Sequence, residues 1–310
     1  MRRTLLLILG STGVGKTELS LHIAERYGCP IVSCDSRQVF REIPIGTAAP
    51  TQEEQARVKH YFVGTRALEE EYNAGQYERD ALALLEKLFE THEVVVMTGG
   101  SMLYADAVCN GLDDLPAVPS SVRADVQREY EQKGLEWLQN EVQRLDSDYW
   151  GRVDRCNPAR LAHCVELCRV TGKPYSTLRS NTIKERPFRI VKIGLERDRA
   201  ELYARIDERV KQMMADGLEE EARRVYPKRS LNSLQTVGYR EMFDYFDGKY
   251  DLDRAIELIQ QNSRHYAKRQ MTWFRRDKAI YWLNANDAYE KNSDIIDGLL
   301  RADSVQEVQR

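Results

Sequence analysis

The sequence lacks the features that would place it among zinc-binding, membrane-spanning or strongly charged proteins. None of its six cysteines forms a CxxC pair and its five histidines are scattered, which argues against a zinc site. No apolar run approaches the roughly 20 residues needed to cross a bilayer. The formal net charge is only −3, so a surface that binds nucleic acid must be a local patch.

The first ten residues, MRRTLLLILG, combine two arginines with an apolar run, as a signal peptide does. The run is short, however, and it passes directly into a glycine-rich loop without a small-residue cleavage site. We therefore expect a buried strand at the start of the chain and a cytoplasmic protein without a membrane segment.

The glycine-rich loop carries the strongest chemical signal in the chain. It matches GxxxxGK[ST] and lies between a predicted strand (residues 4–9) and a predicted helix (residues 16–27), the context that a P-loop requires. Backbone amides curl around an anion, the lysine adds a cation, and the threonine hydroxyl reaches Mg²⁺. The predicted residues for binding a diphosphate or nucleotide are Gly10, Ser11, Thr12, Gly13, Val14, Gly15, Lys16 and Thr17.

Further apolar, β-branched runs at residues 30–33, 93–97 and 187–195 alternate with helical segments, the last clear one at about residues 252–270. This alternation predicts an α/β fold, with a P-loop NTPase-like parallel sheet core flanked by helices. Three helical windows, residues 122–133, 135–145 and 158–171, interrupt the alternation. We therefore predict a catalytic core from residues 1–110 and 188–310, and a helical insertion domain from residues 111–187.

The expected position of an acidic residue differs from that in ATPases and GTPases. The run at residues 94–96 leads into Met97-Thr98-Gly99-Gly100 and contains no acid to help hold Mg²⁺. The nearest equivalent is Asp35, which follows the second strand and should face the phosphate crevice. Asp35 is thus a candidate general base for an acceptor, although capping a helix is an equally plain interpretation.

Seven stretches together resemble the tRNA dimethylallyltransferase family, also called tRNA isopentenyltransferases, over about nine-tenths of the chain. Several P-loop families share the first stretch, but DSRQ, GYRE and AKRQMTWFR are much more specific in combination. The stretches are GSTGVGKTELS (10–20), SCDSRQVFREIPIGTAAP (33–50), TGGSMLYADAV (98–108), NPARL and VTGKPYS (157–161, 170–176), LYARIDERVKQMMADGLEEE (202–221), QTVGYRE (235–241) and YAKRQMTWFRRD (266–277).

The resemblance implies transfer of a dimethylallyl group from dimethylallyl diphosphate to the N6 amine of the adenosine just 3′ of the anticodon. The P-loop then holds a prenyl diphosphate, which agrees with the missing strand-end acid. The implied catalytic residues are Asp35 as the base, Thr17 as the contact to a Mg²⁺ cofactor, and Lys16 as the cation for the diphosphate. The eukaryotic relatives carry a zinc finger, and the lack of CxxC here indicates a bacterial-type enzyme.

The resemblance also implies a tRNA partner, bound through its anticodon stem-loop. Ser101 stands where the family has threonine and Ser11 where it commonly has proline, and neither change disturbs the motifs. We expect a monomer, since one protein molecule suffices to hold one tRNA. The implied tRNA contacts are Asp35, Ser36, Arg37, Gln38, Ser101, Arg123, Ala159, Arg160, Leu161, Ala162, His163, Gln235, Thr236, Val237, Gly238, Tyr239 and Arg240.

Two groups of basic residues have open assignments. Residues 264–278 interleave arginine, lysine and histidine with Tyr266, Trp273 and Phe274, a composition typical of RNA-binding surfaces and equally of a solvated helix face. One of Arg197, Arg205 and Arg209 is expected to neutralise the diphosphate, and the sequence does not say which.

Three other functions share parts of this pattern. A P-loop small-molecule kinase has the same fold, metal and carboxylate, with a lid for which the insertion could pass. An adenylate isopentenyltransferase shares the donor site but needs neither the basic aromatic helix nor a large insertion. A nucleotide-switched RNA-binding module, in contrast, does not need Asp35.

Overall fold

The computed structural model describes residues 3–180 and 182–302. The described residues form one six-stranded sheet in which every neighbouring pair is parallel. The strands are β1 (Thr4–Gly10), β2 (Ile31–Ser33), β3 (His60–Tyr61), β4 (Val94–Gly99), β5 (Arg189–Glu196) and β6 (Ile280–Asn284). Their order across the sheet is β3-β2-β4-β1-β5-β6, which confirms the predicted α/β class.

Strand β1 lies at the centre of the sheet, between β4 and β5, and all seven of its residues are buried. Helices cover both faces of such a strand, which explains why it reads as a continuous apolar run rather than an alternating one. Because the strands are parallel, β1, β2 and β4 all end at the same edge of the sheet. The P-loop, the Asp35 turn and the Gly99-Gly100 turn therefore meet there.

The described residues contain thirteen α-helices, and none of these is long and apolar enough to span a bilayer. Two short 3₁₀ helices, Tyr226–Lys228 and Asn232–Leu234, lie in the second half of the chain. The α-helices are α1 (Lys16–Tyr27), α2 (Gln52–Arg57), α3 (Ala74–Leu88), α4 (Met102–Asn110), α5 (Ser120–Leu145), α6 (Ser147–Trp150), α7 (Pro158–Thr171), α8 (Tyr175–Leu178), α9 (Arg199–Ala215), α10 (Leu218–Val225), α11 (Tyr239–Phe246), α12 (Leu252–Phe274) and α13 (Tyr289–Arg301).

The chain divides into two compact units. The first contains the sheet and runs to Cys109 and again from Glu185, and the second runs from Asn110 to Lys184. Residue 110 thus belongs to the second unit and residues 185–187 belong to the first. The observed boundaries therefore differ from the predicted ones by one residue at the start of the insertion and by three residues at its end. In the second unit α5 and α7 pack through buried apolar residues, and the α5 backbone breaks at Gly134 (φ 75°), where the two predicted windows meet.

The end of the chain contains more regular structure than the sequence analysis predicted. Helix α12 continues to Phe274, and β6 and α13 follow it. The residues Ile296, Leu299 and Leu300 of α13 are buried in the core that also contains α1. Their spacing is helical, but this segment carries no chemical motif, and the last helix that the sequence predicts clearly is at about residues 252–270.

Candidate active site

A cavity of about 360 Å³ lies within the first unit, at the edge of the sheet where β1, β2 and β4 end. Ligands of parallel α/β folds bind at this carboxyl edge. The P-loop, the Asp35 turn and the Gly99-Gly100 turn form one side of the cavity. Residues of the 46–50 loop, of α9, of the 235–238 segment and of α12 complete its lining.

The P-loop backbone has the curled conformation that glycine permits. Gly13 has φ +78°, and a Cβ added there would lie 2.9 Å from Ile206 Cγ1. A larger residue would therefore be strained and would also push α9 away from the loop. The Nζ of Lys16 turns back along the loop and donates to the carbonyl oxygens of Gly10 (3.0 Å) and Ser11 (2.8 Å). This holds the lysine at the mouth of the anion cradle.

Arg209 is the second cation of the cavity. It projects from α9, and its guanidinium donates to the hydroxyl of Thr12 at 3.3 Å. Burial lowers the pKa of Arg209, and burial together with the charge of Arg209 lowers the pKa of Lys16 to about 8. Two cations held this close and away from water repel each other, so the site is arranged for a multivalent anion.

The other two candidate arginines have different partners. Arg197 bonds to Glu201, Asn286 and the carbonyl of Ala285. Arg205 is exposed and donates to the carbonyl oxygen of Gly13 at 3.1 Å. Arg209 alone of the three lines the cavity.

The position of Asp35 is compatible with both of the interpretations that the sequence left open. Its Oδ1 accepts the amides of Arg37 (2.9 Å) and Gln38 (3.3 Å), which caps the turn after β2. The residue also lines the cavity, and its Oδ2 accepts no hydrogen bond within the described ranges. One carboxylate oxygen thus fixes the side chain while the other stays available to a proton donor in the cavity.

The side chains of Arg37 and Gln38 connect neighbouring walls of the cavity. Arg37 donates to the carbonyls of Asn232 (2.9 Å) and Ser233 (3.1 Å), and Gln38 to those of Thr47 (3.3 Å) and Ala48 (2.9 Å). The DSRQ stretch therefore holds the 46–50 loop and the segment before residue 235 in place. The sequence predicts contacts to the acceptor for Ser36, Arg37 and Gln38, and it gives no sign of this supporting role.

Ser36 and Ser101 form a pair beside this stretch. The hydroxyl of Ser101 accepts the Ser36 amide at 2.8 Å and lies 3.0 Å from the Ser36 hydroxyl. Ser36 lines the cavity, whereas Ser101 is buried and does not. The structure thus places the hydroxyl of Ser101 where it supports Ser36.

The remaining predicted tRNA contacts fall into three groups. Residues 235–238 line the cavity, and Arg240 is exposed outside its lining. Tyr239 is fully buried, with its hydroxyl bonded to Glu221 (2.5 Å) and the Ile43 carbonyl (3.3 Å). Leu161 is also fully buried, in the core of the second unit, so neither of these two side chains is available to RNA. In that unit Arg123, Ala159, Arg160 and His163 are exposed and Ala162 is half-buried.

Gln270 is a buried residue of the site that sequence reasoning did not single out. From α12 its Oε1 accepts the Thr12 amide at 2.9 Å, and its Nε2 donates to the Gly100 carbonyl at 2.8 Å. It thereby connects the P-loop to the turn after β4. Its only sequence signal is its place in the AKRQ stretch, because helical spacing by itself does not reveal a partner 258 residues away.

Glu221 was missed for the same reason. This fully buried carboxylate accepts the amides of Ile45 (3.0 Å) and Gly46 (2.9 Å) as well as the Tyr239 hydroxyl. These three bonds satisfy the charge and fix the start of the 46–50 loop against α10 and α11.

The donor set at the P-loop is suited to Mg²⁺ only in company with phosphate. Thr17 is exposed and lines the cavity. Over residues 3–180 and 182–302, no group of three or more histidine, cysteine or acidic residues is placed to hold a metal by itself. Mg²⁺ is commonly bound by few protein oxygens together with substrate phosphates and water, and this hydroxyl beside an anion cradle fits that pattern.

The chain is similar to known proteins over most of its length. The family model described as IPP transferase matches residues 38–277. Proteins named tRNA dimethylallyltransferase from Parabacteroides distasonis and Phocaeicola vulgatus are 55% and 56% identical, over 92% and 94% of this chain and 95% and 97% of theirs. The crystal structure of the full-length tRNA isopentenylpyrophosphate transferase from Bacillus halodurans matches with 31% identity and a TM-score of 0.70, covering 96% of both chains.

Proposed function

The chain belongs to the IPP transferase family, and we propose that it transfers a dimethylallyl group from dimethylallyl diphosphate to the N6 amine of the adenosine 3′ of the anticodon in tRNA. The observation that supports this best is the arrangement of Asp35 relative to the cations. Asp35 lines the same cavity as Lys16 and Arg209. An acceptor and a diphosphate donor can therefore meet without leaving this cavity.

The donor side combines cations with an apolar wall. The P-loop amides, Lys16 and Arg209 bind the diphosphate, and they stabilise its growing charge as the allylic C–O bond breaks. When bound, Mg²⁺ adds charge stabilisation to the leaving diphosphate, and Thr17 is the residue that would hold it. Ile206, Val210 and Met213 line the same cavity and give the dimethylallyl group an apolar surface.

On the acceptor side, Asp35 removes the proton. The N6 nitrogen forms a bond to the allylic carbon while the C–O bond breaks, and one N6 proton passes to Oδ2 of Asp35. Its Oδ1 stays bonded to two backbone amides, which keeps the carboxylate oriented throughout. An adenosine must leave its stack to reach this point, so a surface that grips the surrounding RNA is needed.

We assign the RNA-contact role to those members of the predicted set that line the cavity or are exposed. In the first unit these are the cavity residues 35–38 and 235–238 with Arg240, and in the second unit they are Arg123, Ala159, Arg160 and His163. One chain supplies the cations, the carboxylate and the apolar wall, which supports a monomer. A tRNA substrate supports a cytoplasmic location.

The test is transfer of radiolabelled dimethylallyl groups from the diphosphate to unmodified tRNA with Mg²⁺. Parallel reactions contain ATP as the donor or free AMP as the acceptor. Label on tRNA alone is the expected result. Label on AMP would instead indicate an adenylate isopentenyltransferase, and phosphate transfer from ATP without prenylation would indicate a small-molecule kinase.

A further inference from the structure

The wall that α9 gives to the active-site cavity changes from charged to apolar along the helix. Its residues recur at intervals of three and four, so they share one face of α9. They are Ile206, Arg209, Val210 and Met213. Arg209 contacts the P-loop through the hydroxyl of Thr12, and the two apolar residues that follow it lie nearer the end of the helix. Met213 is the last α9 residue of the cavity lining.

The apolar part of this wall extends away from the P-loop, between α9 and α12. Val210 and Met213 pack in one apolar cluster with Ile259 of α12, which also lines the cavity. On α12, Gln270 is the residue that bonds to the P-loop, at the Thr12 amide. Ile259 precedes it by about three turns, roughly 16 Å along the helix. Met213 and Ile259 therefore mark the end of the cavity that is remote from the phosphate cradle.

The backbone around this remote end is held in place. Ile45 and Met213 pack against the same apolar cluster. The amides of Ile45 and Gly46 donate to the buried carboxylate of Glu221. A Cβ added to Gly217, just after α9, would lie 4.0 Å from Cδ1 of Ile45. Because this backbone is fixed, the space at the remote end depends on the side chain of Met213, which is long, unbranched and able to fill irregular gaps.

The distance from the cation to Met213 matches the length of a short prenyl chain. Arg209 and Met213 are one turn apart, about 6 Å along the axis of α9. From the usual lengths of single bonds, one extended isoprene unit spans roughly 5 Å. A dimethylallyl group whose diphosphate lies at Arg209 therefore reaches as far as Met213. A second isoprene unit would need the space that the thioether of Met213 occupies.

We propose that Met213 limits the donor to a five-carbon prenyl diphosphate. Its side chain packs on the terminal methyl groups of the dimethylallyl chain and fills the space that a longer chain needs. This inference rests on the proposed function, because it takes a prenyl diphosphate to be the donor. Met213 determines specificity in this role, and it takes no part in bond breaking or proton transfer.

The experiment compares the affinities of the full-length protein for dimethylallyl diphosphate and for its ten-carbon homologue, geranyl diphosphate. Calorimetric titration with Mg²⁺ and without tRNA gives both affinities, and inorganic pyrophosphate is the probe without a prenyl chain. The test variants are Met213→Ala and Met213→Val, and Met213→Leu is the conservative variant. Met214→Ala is the matched control, since this methionine is the next residue and packs against the same cluster but lies outside the cavity lining.

We expect wild type to bind dimethylallyl diphosphate roughly tenfold or more tightly than geranyl diphosphate, because the longer chain overpacks the remote end. Met213→Ala should shift this ratio about tenfold towards geranyl diphosphate, and Met213→Val should shift it in the same direction by a smaller factor. Met213→Leu keeps most of the side-chain volume, so it should retain the wild-type ratio. Met214→Ala should retain that ratio too, and pyrophosphate should bind all five proteins alike.

A wild-type ratio of the two affinities in both Met213→Ala and Met213→Val would overturn the proposal. Equal shifts in Met213→Ala and Met214→Ala would also contradict it, and so would a wild-type protein that binds the two donors equally. Prenyl transfer to tRNA is measured separately, by the mass of the nucleosides after digestion. Donor selectivity that depends on Met213 without any transfer would refute the proposed reaction alone. Dimethylallyl transfer by wild type, with a donor ratio that does not depend on Met213, would refute the role of Met213 alone.

Discussion

The charge state of Lys16 predicts how the affinity of the site for a diphosphate changes with pH. Burial and the neighbouring Arg209 lower the pKa of Lys16 to about 8 from an ordinary value of 10.5, against smaller opposing effects of Asp35 and Cys34. A diphosphate binds to the charged form of the lysine. Affinity should therefore be greatest below pH 8 and should fall as the pH rises through the pKa of Lys16.

The size of the effect follows from that pKa. At pH 7 about ten-elevenths of the lysine carries its proton, and at pH 9 about one-eleventh does. The affinity for inorganic pyrophosphate should thus fall about tenfold between these pH values. A lysine with an ordinary pKa would lose only about 3% of its charge over the same interval, so the two cases are clearly separated.

The assay is calorimetric titration with inorganic pyrophosphate from pH 7 to pH 9.5, on wild type and on Lys16→Arg. Arginine keeps its charge over this range, and both proteins bind the same probe, so the variant corrects for the ionisation of pyrophosphate itself. We expect an additional tenfold loss in wild type between pH 7 and pH 9. Parallel curves for the two proteins up to pH 9.5 would refute the reasoning, because Lys16 would then keep its charge over the whole range.

Further predictions concern three residues that hold the cavity together. Arg209→Ala should weaken pyrophosphate binding about 10- to 100-fold, and it should raise the pH at which this affinity begins to fall. Arg205→Ala, outside the cavity, should change neither property. Equal losses of affinity in the two variants would contradict the assignment. Glu221→Gln should lower the free energy of unfolding by about 1–3 kcal/mol in denaturant titrations, because the new amide cannot accept all three hydrogen bonds; a stability equal to wild type would contradict this. Gln270→Ala should speed hydrogen exchange at the Thr12 amide, and unchanged protection there would show that the bond from Gln270 is not what holds the loop.

Local signals in the sequence were sufficient to predict the centre of the fold. The apolar run of β1, the P-loop motif and the spacing of α1 each lie within a few residues, and the strand-end rule placed Asp35 at the cavity. Partners distant in the chain were not predictable. No local pattern distinguishes Arg209 from its neighbouring arginines, or shows that Tyr239 turns inward to Glu221. The bond between Gln270 and Thr12 exists only because the fold brings the ends of the first unit together.

The proposed role of Asp35 in proton transfer is the central claim about this site. Asparagine at this position keeps an oxygen for the amides of Arg37 and Gln38, so Asp35→Asn should preserve the turn while removing the base. The measurement is the single-turnover rate of dimethylallyl transfer to tRNA, beside the affinity for the same tRNA. We predict a rate loss of about 10²- to 10⁴-fold with nearly unchanged affinity. A wild-type rate in Asp35→Asn would contradict the account.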